Sequence, residues 1–290
     1  MKRILLSVAF AAAVLSAGAQ APLKLPALSP TAKLTQEFAT SSIEISYSRP
    51  SLRGRHVFGD MIPYDKAWRT GANGPTRIKL GEDMEIGGQK VKAGEYSLYT
   101  VPGKGNWEVV LSNGNGPLGP EGYGKDMEVA SFSIRPVMME NNIQTFTIEI
   151  SDITFNTCKI VLEWERTKVS IPVVVHNEEK LDENIQKTLG KPAQLPYFQA
   201  ANYYYESGKK YELAEQYVNK AIDQDPKAFY IWYLKARIEK KLGHNDEAIM
   251  AAKKSMDLAK GNANEREYQV NNQKLIDDIN RAKPRKQIND

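Results

Sequence analysis

The sequence predicts a multidomain protein, all-β followed by all-α: an antiparallel β-sandwich of jelly-roll type at 41–175, then a short tetratricopeptide-like array of helical hairpins at 176–283. Three observations carry that reading. Apolar residues alternate with period two through the first half. Near position 175 the rhythm changes to every third or fourth residue. In the second half a set of positions recurs at an offset of 34 residues. The chain has 290 residues, room for two modest domains.

At the N-terminus Met1, Lys2 and Arg3 supply a basic start, and 4–15 is apolar apart from Ser7. Ala17, Gly18 and Ala19 then put small residues where a signal peptidase reads. This order predicts a cleavable secretory signal peptide over 1–19, cut after Ala19, and a periplasmic or extracellular product. The apolar run falls short of the roughly 20 residues that span a bilayer, so no membrane span is expected after cleavage. No cysteine follows the small residues, and no lipid anchor is expected. Pro22, Pro26 and Pro30 make 20–40 read as a leader.

The strands follow in order. Ile43, Ile45 and Tyr47 face one way while Glu44, Ser46 and Ser48 face the other. Further strands are expected at 76–80, 107–112, 128–135, 146–150, 160–165 and 168–175. Gly87-Gly88, between 84–86 and Val91, is a hairpin signal, and so is Ala93-Gly94 before 96–98, because glycine supplies the positive φ of tight turns. About nine strands without intervening helices predict the antiparallel sandwich.

Leu181, Ile185 and Leu189 recur every four residues and stop at Gly190, as an amphipathic helix with a glycine cap would. Phe198, Ala214, Val218, Ala221 and Pro226 then align with Trp232, Ala248, Ala252, Ser255 and Lys260. Alanine at the closest approach lets two helices pack, the large aromatics fill the flanking holes, and Pro226 ends a helix. A last helix near 265–282, with Tyr268, Leu275, Ile276 and Ile279, caps the stack before Pro284 and a 284–290 tail. Such a block either packs as a scaffold or offers a short concavity to a protein partner. Tyr203, Tyr204 and Tyr230 are candidates for that face, though core or helix-interface positions are the preferred reading for them.

Composition limits the chemistry. Lys plus Arg is 39 and Asp plus Glu 35, a net charge of +4, too thin for a nucleic-acid footprint without a clustered basic face. At 41% hydrophobic and 26% charged, the chain is neither a disordered tail nor a polytopic membrane protein. Its one cysteine, Cys158, excludes an intrachain disulfide framework and a thiolate zinc cluster, and reads as a small hydrophobe. His56, His176 and His244 are more than sixty residues apart, and none has a second histidine at metal spacing, so neither a metal nor a cofactor is expected. Asp60, Asp65, Glu82 and Asp83 read as solvated turn residues. The glycine-rich connection at 113–124 lacks the ending of a phosphate cradle, since Asp126 follows Gly124-Lys125, though Tyr123 suits a ligand rim. No Gly-x-Ser-x-Gly elbow occurs, and no catalytic residue is singled out.

One segment, 47–73, concentrates chemistry. Arg49, Arg53, Arg55 and Arg69 lie there with Tyr64, Trp68 and Asn73. These seven form the candidate site for a small anionic or saccharide ligand, the arginines holding an anion and Trp68 stacking. The alternative is that the arginines pin a long connection to the sheet.

Here the chain resembles a known family. Tyr47-Ser48-Arg49-Pro50-Ser51, Gly54-Arg55, Val57-Phe58-Gly59, Pro63-Tyr64, Trp68-Arg69-Thr70-Gly71-Ala72-Asn73 and Ala93-Gly94-Glu95-Tyr96-Ser97-Leu98 with Pro102 resemble the DUF2911 family. The resemblance implies an exported protein of unknown function of the kind found mostly in Bacteroidetes, often with tetratricopeptide-like helices behind it. Gly74 stands where an acidic residue is common in that family. The function expected is a non-catalytic binding or scaffolding module of the bacterial cell envelope, with a small ligand on the β domain or a protein partner on the helical block. The alternative is an envelope hydrolase or carbohydrate-processing enzyme whose two carboxylates face each other roughly 5–10 Å apart across the sandwich.

Overall fold

Period-two alternation becomes ten strands: β1 (Thr31–Phe38), β2 (Ser41–Ser48), β3 (Thr76–Leu80), β4 (Met84–Ile86), β5 (Gln89–Val91), β6 (Gly94–Val101), β7 (Trp107–Ser112), β8 (Glu128–Ile134), β9 (Val137–Ser151) and β10 (Thr157–Val174). The computed structural model describes residues 25–114, 124–189 and 196–282. The expected signal peptide, most of the glycine-rich connection with Tyr123, the Gly190 cap and the 284–290 tail lie outside the described residues. The strands form two antiparallel sheets, ordered β1-β2-β3-β6-β7-β8 and β5-β4-β10-β9. Between them Ile43, Ile45, Ile78 and Leu98 of the first sheet share one core with Ile160, Leu162, Trp164 and Ile171 of the second. Each such side chain contributes about 1.5–3 kcal/mol by leaving water.

Two expectations are corrected. The leader at 20–40 contains β1, which pairs with β2 over its whole length, from Thr31 opposite Ser48 to Phe38 opposite Ser41. An edge strand has one neighbour and one half-covered face, so Ala32, Leu34 and Phe38 suffice to seat it on the core. The expected strands at 160–165 and 168–175 are one strand, β10. Its register against β9 shifts on either side of Glu165, whose φ of +52° marks the irregularity. Cys158, at the start of β10, is buried, and burial pushes its thiol up to about 11, which keeps it protonated and unreactive.

The second half is helical: α1 (Glu178–Leu189), α2 (Tyr197–Glu206), α3 (Tyr211–Gln224), α4 (Phe229–Leu242), α5 (Asn245–Leu258) and α6 (Glu265–Ala282). Helices α2 and α3 form one hairpin, α4 and α5 the next, and α6 packs on α4 and α5. Ala214, Ala248 and Ala252 are wholly buried where the helices cross. Ser255 replaces alanine at one crossing and donates its hydroxyl to the Phe229 carbonyl (2.8 Å), so the polar substitution is satisfied. Among the described residues no helix is long and apolar enough to cross a membrane.

The helical block starts directly on the sandwich. The Asn177 amide donates to Glu82 (3.2 Å), which also accepts the Thr40 N–H (2.9 Å), so Glu82 is a junction residue and not a solvated turn. Asn156 donates to Glu178 (3.4 Å), and the Phe155 ring lies 5.4 Å from Tyr203. The turn between β9 and β10 thereby seats α1 and α2.

Candidate functional site

Trp68 is 8% exposed, inside the sandwich. Its ring stacks on Trp164 (5.8 Å, 23° between planes) and meets Phe146 edge-on (5.0 Å), while its indole N–H donates to the Gly71 carbonyl (2.9 Å). The expected stacking role is therefore corrected: both the face and the polar edge of Trp68 are spent on the core. Thr70 beside it is wholly buried with φ +50°, an uncommon conformation for a β-branched residue. It is held there by Thr76, whose hydroxyl donates to the Thr70 carbonyl (2.5 Å), and by its own hydroxyl 3.2 Å from that of Thr100.

The arginines turn to protein oxygens. Arg49 donates through Nε to the Phe146 carbonyl (3.0 Å) and through Nη2 to the Thr147 hydroxyl (2.7 Å), bridging the first sheet to β9. Arg55 donates to the carbonyls of Leu52 (3.1 Å) and Ser51 (3.1 Å). Arg69 donates to the Asn73 carbonyl. Arg53 Nη2, Asn73 Nδ2 and the Arg49 backbone N–H take the successive carbonyls of Leu28 (2.8 Å), Ser29 (3.3 Å) and Pro30 (2.9 Å). What these three residues converge on is the arm that enters β1. Tyr64 packs over Gly59, whose φ of +92° and missing Cβ make room for the ring, since an added Cβ would lie 2.4 Å from it.

A second arrangement lies in the helical block. Helices α2, α4 and α6 are neighbours on one side, and together they line a cavity of about 460 Å3. Tyr205 comes from α2; Tyr233, Arg237, Lys240 and Lys241 come from α4. Helix α6 adds Asn271, Lys274 and Asp278. Arg237 is set in place: its guanidinium sits 4.3 Å from the centre of the Tyr205 ring and 5.6 Å from that of Tyr233, and it donates to Glu206 (2.9 Å). Lys240 pairs with Asp278 (3.2 Å). Burial raises the Tyr233 hydroxyl pKa against the opposing pull of Arg237, so that hydroxyl remains a donor.

The tyrosines expected on such a face go elsewhere. Tyr204 is buried and donates to Asp182, and burial followed by that carboxylate drives its pKa upward. Tyr203 faces Phe155 of the sandwich, and Tyr230 lies against Phe198 and Phe229. A sequence signal for the cavity did exist: Arg237 and Asn271, like Lys240 and Lys274, stand 34 residues apart, so the repeat offset carried onward into α6 collects them.

Two further clusters bear on chemistry. Glu215, Glu239 and His244, from α3, α4 and the turn before α5, bring ligand atoms within 4.8 Å of one another. Glu239, 2% exposed, already has partners: His244 Nδ1 at 2.9 Å and the Lys235 ammonium Nζ at 3.9 Å. The hydrogen bond to Glu239 raises the His244 pKa, which makes the cluster an ion-paired joint between three elements. On the outer face of the first sheet, Glu44 and Glu95 line a shallow hollow, each with its own cation, Lys79 (2.7 Å) and Arg77 (3.1 Å). That hollow therefore offers no unpaired acid–base couple.

With this geometry in view, comparison with known proteins adds two findings. A family model described as a protein of unknown function, DUF2911, matches residues 29–173, and a tetratricopeptide-repeat model matches 196–227 and 229–262. No curated protein matches the chain.

Proposed function

Because the chain belongs to the DUF2911 family, whose function is unknown, and carries tetratricopeptide repeats behind that domain, we propose that it is a non-catalytic interaction scaffold of the bacterial cell envelope. In this reading the β-sandwich is the base and the helical block is the docking element for a partner polypeptide. The observation that carries it is the cavity shared by α2, α4 and α6, where side chains from three successive units converge on one face. Repeat arrays of this kind use such faces to hold extended chains. The envelope address rests on the basic, apolar and small-residue order of 1–19.

The test is site-specific crosslinking in the native cell. A photoreactive benzoylphenylalanine at Tyr205 or Tyr233 is expected to give discrete polypeptide adducts, whereas the same group at Gln216, exposed on α3, gives none. Adducts of equal yield at both kinds of position, or none in the cavity, defeat the docking role.

A further inference from the structure

Resting on the docking role of the same cavity, we infer that the segment it takes is acidic: an extended stretch that presents at least two carboxylates to Lys241 and Lys274. The cavity carries four cations, Arg237, Lys240, Lys241 and Lys274, against one lining carboxylate, Asp278. Two of those charges are already answered, Arg237 by Glu206 and Lys240 by Asp278. Lys241 on α4 and Lys274 on α6 are exposed and form no salt bridge among the described residues; Asp278, one turn along from Lys274, lies within its field but is itself paired with Lys240 and Arg281. Their like charges share one cavity, and an incoming pair of carboxylates relieves the repulsion that a neutral segment leaves in place.

The surroundings select a polypeptide over other polyanions. Asn271 offers an amide donor and acceptor, the complement of an extended peptide backbone. Tyr205 and Tyr233 flank the fixed Arg237 and give apolar side chains of the segment a surface. Glu206 and Asp278 stand among the cations. A nucleic-acid strand, charged at every step, meets repulsion from those two carboxylates, while a peptide places its charges at chosen positions.

Fluorescence anisotropy on the full chain tests this with three labelled nonapeptides, leucine alternating with glutamate, glutamine or lysine. The glutamate peptide is expected to bind about tenfold tighter than the glutamine one, to weaken as salt rises, and to be outside the reach of the lysine one. Lys241→Gln and Lys274→Gln each weaken it about threefold. The double variant Lys241→Glu/Lys274→Glu abolishes binding, with its circular dichroism melt unchanged. Lys253→Glu/Lys254→Glu, on the outer helix α5, retains it. Equal binding of all three peptides, binding that survives the double reversal, no binding of the glutamate peptide, or displacement of it by a short oligothymidylate at lower concentration each overturns the acidic-segment inference. Crosslinks from Tyr205 and Tyr233 that persist in those cases leave the docking role standing, which separates the two failures.

Discussion

Trp68 sits four residues from Tyr64 and next to Arg69, a neighbourhood that suggests recognition, yet its partners are Trp164 and Phe146, far along the chain. Edge-on and stacked aromatic contacts reinforce the burial of its large surface. Trp68→Ala is therefore expected to cost about 3–5 kcal/mol in urea unfolding, the usual range for emptying a buried aromatic site. A variant that keeps its stability and loses only ligand affinity would contradict the placement of the ring. Arg49 follows the same logic with polar atoms, since its planar fork reaches a carbonyl and a hydroxyl of β9 at once.

Among the elements, the joint of α3, α4 and α5 is where pH acts. Glu239 is a buried carboxylate at the end of α4, and His244, just past the left-handed Gly243 (φ +83°), supplies it with a proton donor. The facing groups are Glu215 of α3, Lys235 on α4 and Glu247 of α5, in addition to the Glu239 carboxylate itself. Hydrogen bonding to Glu239 raises the histidine above its ordinary value, so the folded state binds that proton more tightly than the unfolded state does. The stabilisation is complete below about pH 6.5 and fades as pH rises through the folded value. The melting-temperature gap between wild type and His244→Gln is accordingly expected to be widest near about pH 6 and to narrow as pH rises above the ordinary histidine range. A gap that widens with pH would reverse the assignment. The strands show a complementary lesson. Ile43, Ile45 and Tyr47 announce β2 because its inner face is fully covered, whereas β1 hides in the expected leader because Gln36 interrupts a face that an edge position only half covers.

For the whole molecule, the junction decides whether the two blocks act as one body. Among the described residues it includes Phe155 against Tyr203, the Asn177–Glu82 and Asn156–Glu178 hydrogen bonds and the His176–Glu85 contact (3.1 Å). These are few contacts, of the scale that leaves neighbouring domains marginally coupled. Phe155→Ala combined with Asn177→Ala is expected to split one calorimetric transition into two, helical block first. A single unshifted transition would mean the blocks are held by something else. The docking cavity also belongs to this scale, because its side chains come from three helices and no one of them carries enough of the pattern to be recognised alone.

The sequence by itself determined the class of each half, the position where strands yield to helices, and the repeat that stacks the helices. Each of these is a periodicity, and periodicity is set by local backbone geometry that the chain writes into neighbouring positions. Only the tertiary structure decided that the arginine segment turns donors to the protein's own carbonyl and hydroxyl oxygens while Lys241 and Lys274 are left facing an open cavity. Whether a polar side chain is satisfied depends on groups brought to it from distant parts of the chain, and local spacing carries no record of them.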